Sequence, residues 1–215
     1  MTIDIWSDVI CPWCFLGKRR LEAAMAELDW RDDIEIHWHA YQLDPRATAE
    51  PKDLATSIDA KYGPGSFVGM TKRLTALGEP IGIDYRFDRA LRVGTLDAHR
   101  LLAWAWDTAG AAKQGELKER LMLAYFTEGG NVADHGTLER LVDEVGLDAH
   151  AARTMLASDD YREEVRDDQR AAEEHQVTGV PAFIVAGRVH IPGAQEVETF
   201  VTVLNRCRER FVAAD

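Results

Sequence analysis

The sequence predicts an α/β fold in which a βαβ unit and a ββα unit, at opposite ends of the chain, share one sheet around a long helical block. Three observations carry this reading. Strand-like stretches cluster near the two ends, helical periodicity dominates the middle, and neither end has strands enough to form a stable sheet alone. The implied division is 1–44 for the first half of the α/β unit, 45–160 for an all-helical insertion and 161–215 for the second half.

The first strand is Thr2-Ile3-Asp4-Ile5-Trp6, and an amphipathic helix follows, with Leu21, Ala24, Met25 and Leu28 on one face. Ile34 to Tyr41 then alternates apolar and polar residues as a second strand. A right-handed βαβ unit of this kind sets the helix N-terminus at the carboxyl edge of the sheet, where α/β sites lie. From Asp44 to about Asp160 helices end at Gly63-Pro64, Gly78, Gly110, Gly129-Gly130 and Gly146, and Asp148 caps another. Ile81 to Phe87 has no clear period and reads as a loop. Trp104 and Trp106 recur at helical spacing, which marks core positions rather than a substrate groove. A charged helix over 160–176 leads to β character from Val177 to Ala186. Gly187-Arg188 turns the chain into Val189-His190-Ile191, and Pro192-Gly193 precedes a last helix with Val197, Phe200, Val201, Leu204 and Phe211 on its apolar side.

The 215 residues are 46% hydrophobic and 29% charged, with a formal net charge of −12, so nucleic acid and anionic membrane surfaces are disfavoured as partners. No stretch is long and apolar enough to span a bilayer. The first strand begins at Thr2 with no basic and apolar leader before it, and only three cysteines are present, which together predict a cytoplasmic protein.

The chemistry points to Cys11-Pro12-Trp13-Cys14. Residues three apart share a helix face, so the two sulfurs can meet and a disulfide can open and close. Cys11 falls at the N-cap and Pro12 at the first helical position, which suits a residue with no N–H. The helix terminus carries roughly half a positive charge, which is expected to lower the Cys11 thiol pKa. Cys11 is then the nucleophile, and Cys14 resolves the mixed disulfide.

Zinc uses the same cysteine spacing but needs two further ligands. Cys207 lies on the stripe Phe200, Leu204, Cys207, Phe211, a core-facing seam, so no metal is assigned. His37 and His39 share one strand face and could chelate an ion, although an exposed alternating strand explains them equally well. Pro181 opens a strand. Either its bond to Val180 is cis, in a turn that presents free backbone groups to a substrate chain, or it is a trans residue on an edge.

Four motifs in order carry a family resemblance: Ser7-Asp8-Val9-Ile10-Cys11-Pro12-Trp13-Cys14, Tyr41-Gln42-Leu43-Asp44-Pro45, Thr178-Gly179-Val180-Pro181 and Pro192-Gly193-Ala194-Gln195. Over nearly its full length the chain resembles the DsbA family of thioredoxin-fold oxidoreductases, and within it the FrnE-like cytoplasmic subgroup. The resemblance implies a thioredoxin fold split by a helical domain, a cis Pro181, dithiol–disulfide exchange at Cys11 and Cys14, and substrate contacts from Pro12, Trp13, Val180 and Pro181. Trp13 stands where periplasmic members carry histidine, so a weaker oxidant is expected. Substrates would be proteins or small molecules bearing thiols or disulfides. No tightly bound cofactor is expected, and glutathione is a possible redox partner or cosubstrate.

Two other readings compete. More distantly the chain is similar to 2-hydroxychromene-2-carboxylate isomerases and kappa-class glutathione transferases, which work with serine at the first position, where this chain has Cys11. A non-enzymatic holdase would leave the cysteines without a role. Asp8 and Gln195 are placed near the site by the motifs alone; Asp8 could cap a turn, and Gln195 could belong to the last helix.

Overall fold

The computed structural model describes residues 1–211. Its main sheet joins the two ends of the chain: β1 (Thr2–Ser7) pairs in parallel with β2 (Glu35–Ala40) and antiparallel with β5 (Ala182–Val185), which pairs with β6 (Val189–Pro192), in the order β2-β1-β5-β6. Strand alternation sorts the side chains. Ile3, Ile5, Trp38, Phe183 and Val185 face α1 (Pro12–Ala26) and α8 (Val197–Phe211), forming a core with Leu21, Phe200, Leu204 and Cys207. The Cys207 seam is therefore buried. Each fully buried aliphatic or aromatic side chain in such a core contributes about 1.5–3 kcal/mol.

The middle of the chain supplies α2 (Leu54–Tyr62), α3 (Ser66–Gly78), α4 (Leu96–Leu123), α5 (His135–Glu144), α6 (Ala149–Leu156) and α7 (Arg162–Glu174). Asp53, Asp134 and Asp148 cap α2, α5 and α6 by accepting hydrogen bonds from backbone N–H groups in the first turn. The helices ending at Gly110 and beginning after it are joined through that residue, which has φ 80° and ψ −178°. Gly110 kinks α4 around the edge of β2. There Gln114 Oε1 accepts from Trp38 N at 2.8 Å and Gln114 Nε2 donates to Trp38 O at 3.0 Å, which closes the open sheet edge. A second core ties Val9, Phe15 and Leu16 to Leu101, Leu117, Leu121 and Leu138, so the helical block packs directly on the helix that carries the cysteines.

Three features differ from the sequence reading. Lys52–Asp53 and Leu91–Arg92 form a two-residue antiparallel pair, β3 and β4, too short to show a period. Residues 177–181 are irregular, and the strand begins at Ala182, because Pro181 has no N–H to give to a ladder. The face bearing Asp4, His37 and His39 is not an open strand surface. Trp106 of α4 stacks on His37 at 3.6 Å, and Asp168 of α7 bonds His39, so two distant helices cover it. Among the described residues no helix is long and apolar enough to cross a membrane.

Candidate active site

The turn after β1 delivers Cys11 to the N-cap of α1, with extended φ −88° and ψ 114° and Pro12 in the first turn. Cys11 N donates to Asp8 O at 3.2 Å, and the Cys11 carbonyl accepts from Cys14 N at 3.0 Å and Phe15 N at 3.3 Å. Both thiols are free. Cys14 has no exposed surface and Cys11 keeps 4%, so Cys11 is the outer sulfur.

Opposite it lies the loop before β5. The Val180–Pro181 peptide bond is cis, and Val180 O lies 3.8 Å from Cys11 Sγ. Among the described residues nothing accepts from Val180 N–H. Gly17 lets the loop approach α1: a Cβ there would stand 2.9 Å from Pro181 Cγ and 3.2 Å from Phe183 Cζ. Pro12 and Trp13 are partly buried between the cysteines, with the Arg73 guanidinium of α3 over the Trp13 ring at 5.4 Å. Tyr85 Oη donates to Pro12 O at 2.5 Å, and burial holds its phenol well above the ordinary tyrosine pKa.

The two thiols titrate as a pair. The hydrogen bond Cys11 gives to Cys14, then burial, pushes the Cys11 thiol well above its ordinary value. Burial pushes Cys14 upward as well, but the bond from Cys11, the Lys118 ammonium and the Ser7 hydroxyl outweigh it and bring Cys14 down. The expectation of a lowered Cys11 thiol is thus corrected. In the coupled dithiol the bond from Cys11 and the buried ammonium favour charge on the inner sulfur.

Lys118 comes from α4 and is fully buried, its Nζ donating to Ser7 O at 3.3 Å and lying 5.4 Å from the Trp38 ring centroid. Burial pulls its pKa down to about 8, against the pull of Cys14, Asp8 and Cys11. Ser7 Oγ is also buried and, among the described residues, has no hydrogen-bond partner. Asp8, fully buried, accepts from Leu43 N at 2.8 Å and bonds His99 Nε2 at 3.2 Å, so it ties the β1 turn to the chain after β2 and to α4. Gln195 turns away, donating to Pro192 O within its own loop. Lys118, Tyr85 and His99 lie in the helical block, and no local pattern marks them.

A cavity of about 780 Å³ lies away from the cysteines; its walls include His37, Trp106 and a set of carboxylates, among them Asp107, Glu163 and Asp168. Trp104 is buried in the core, whereas Trp106 lines that cavity.

The model of the DSBA-like thioredoxin domain family matches residues 2–205. The chain belongs to that family. The DSBA-like chain is 32% identical to the probable DsbA oxidoreductase SCO1869 from Streptomyces coelicolor, with a TM-score of 0.91 over 98% of this chain and 91% of that one. It is 28% identical over 203 residues, 92% of each chain, to the uncharacterized protein YwbO of Bacillus subtilis (strain 168). The DSBA-like fold also appears in the cytosolic disulfide reductase DsbM from Pseudomonas aeruginosa, at TM-score 0.66 and 22% identity over 97% of this chain and 99% of that one.

Proposed function

We propose that this protein is a thiol–disulfide oxidoreductase that works through Cys11 and Cys14. The observation that carries the reading is the outer sulfur of Cys11, the N-cap residue of α1, facing Val180 O, with the buried Cys14 and the charge of Lys118 supporting it. When the shared proton passes to Cys14, the Cys11 thiolate attacks a substrate disulfide, bonds one sulfur and releases the other as thiolate. Cys14 then passes its proton to the thiolate already released and attacks Cys11 Sγ. The second substrate sulfur leaves as thiolate, and the dithiol has given up two electrons to become the Cys11–Cys14 disulfide. Two molecules of glutathione would restore the dithiol and leave as glutathione disulfide.

Substrate would lie along Pro12, Trp13, Val180 and Pro181, an extended chain pairing with the free Val180 N–H as an added strand. We place the reaction in the cytoplasm, whose poise of roughly −220 to −320 mV keeps a thioredoxin-like pair largely reduced and ready to act as a reductase. The FrnE-like assignment and the insertion boundaries 45–160 belong to the same reading. A glutathione isomerase would need a hydroxyl at position 11; a sulfur pair in contact would instead turn bound glutathione into a mixed disulfide.

The test is equilibration with graded reduced and oxidised glutathione while thiols are counted. A reversible two-electron closure, lost in Cys11→Ser and halted at a mixed disulfide in Cys14→Ser, is expected. A pair that never closes while glutathione binds without exchange would overturn the reading.

A further inference from the structure

We propose that Asp4, His37 and His39 form a binding site for a divalent transition ion of the zinc type, beside the acidic cavity that His37 lines. Asp4 pairs with His37 across β1 and β2, and His39 follows two residues on, so all three side chains leave the same face of the sheet. One ligand atom from each lies within 4.8 Å of the others.

The supporting groups are already arranged. His39 Nδ1 bonds Asp168 Oδ1 at 2.6 Å, and Asp168 Oδ2 is fixed in turn by Ala40 N at 2.6 Å. That leaves His39 Nε2 directed at Asp4 Oδ1, 3.0 Å away. A carboxylate on one ring nitrogen with the other directed into the site is the usual support of a metal-binding histidine. Two ligands on a tetrahedral zinc, each about 2.0–2.1 Å from the ion, stand roughly 3.3 Å apart, so Asp4 and His39 need separate by only a few tenths of an ångström.

An imidazolium held between Asp4 and Asp168 would account for His39 and Asp4, but not for His37. Its ring lies flat on Trp106, at 3.6 Å and 13°, and among the described residues neither of its nitrogens has a hydrogen-bond partner. His37 also lines the cavity, whose Asp107, Asp159, Glu163, Glu164 and Asp167 carboxylates concentrate cations beside it. The nitrogen-rich ligand set favours zinc, nickel or copper over magnesium or calcium. Binding displaces the proton now shared by His39 and Asp4.

The test uses the Cys11→Ser/Cys14→Ser double variant, which cannot hold zinc on the dithiol and whose behaviour is independent of any exchange activity. Zinc competed against a chromophoric chelator is expected to bind at one equivalent, and cobalt to give ligand-field bands without thiolate charge transfer. His37→Ala, which removes a partly exposed ring packed on Trp106 and His39, should weaken binding about tenfold or more, and Asp168→Asn by about tenfold. His150→Ala, on the exposed surface, should change nothing. The proposal falls if the double variant binds no zinc, if His37→Ala binds as tightly as its parent, or if only Glu163→Gln/Glu164→Gln abolishes binding.

Discussion

The Lys118 ammonium, in the second half of α4, favours the thiolate of Cys14, the inner cysteine of α1, and neither residue has any exposed surface. A buried ammonium beside a sulfur stabilises thiolate, and thiolate stabilises the reduced pair. Lys118→Met should therefore raise the first thiol pKa, slow alkylation at neutral pH and move the potential about 15–30 mV more negative, as read by glutathione equilibration. An unchanged potential would remove Lys118 from the site's electrostatics.

Asp8 acts in the opposite sense, since its charge opposes ionisation of Cys11. Asp8→Asn keeps an oxygen for Leu43 N, and should move the potential in the positive direction by a comparable amount. Opposite shifts in the two variants are the signature; shifts of one sign would point to packing instead.

Gly17→Ala should destabilise the protein by about 1–3 kcal/mol, because the new methyl meets Pro181 Cγ at 2.9 Å. The loop must retreat, taking Val180 O away from Cys11. Urea unfolding would read the first effect and single-turnover reduction of a small disulfide the second.

Gln114→Ala removes both partners of the Trp38 backbone at the sheet edge and should cost about 2–4 kcal/mol. Gln114→Glu, which keeps the acceptor for Trp38 N but opposes Trp38 O, should fall between the two in urea midpoint.

His39 links stability to pH. Burial opposes its charge, but the bonds to Asp168 and Asp4 outweigh burial and raise its pKa from 6.5 to about 9. A raised folded value means the contribution is complete below about pH 6.5 and fades as pH rises through about 9. Parent and His39→Gln should differ by on the order of 2–3 kcal/mol at the acid end of that window and converge above it. His37, which burial and then the neighbouring His39 lower to about 4, has the opposite sign: it favours unfolding as pH falls below 6.5.

Short-range signals made much of this legible. The N-cap at Cys11, Pro12 behind it, the proline opening β5 and the apolar seam through Cys207 each depend on neighbours within a few residues. The rest depends on contacts far along the chain. Lys118 meets Ser7 across 111 residues and Tyr85 meets Pro12 across 73, so neither carries a mark in its own segment. The His37 and His39 face read as open because the helices that cover it, α4 and α7, belong to later parts of the sequence. The thiol balance has the same origin: the helix terminus is local to Cys11, and the ammonium is not.

Lys118, from α4, and Tyr85, from the irregular stretch between α3 and β4, both reach the site from the middle of the chain rather than from the segments that form the four-stranded sheet. The ionisation of Cys14 thus depends on a part of the chain that forms none of the four-stranded sheet. Grafting the cysteine motif onto a bare core of this fold would not carry the potential with it. Conversely, a substitution deep in the helical block that loosens its seating should register as a voltage change while the sheet is still intact.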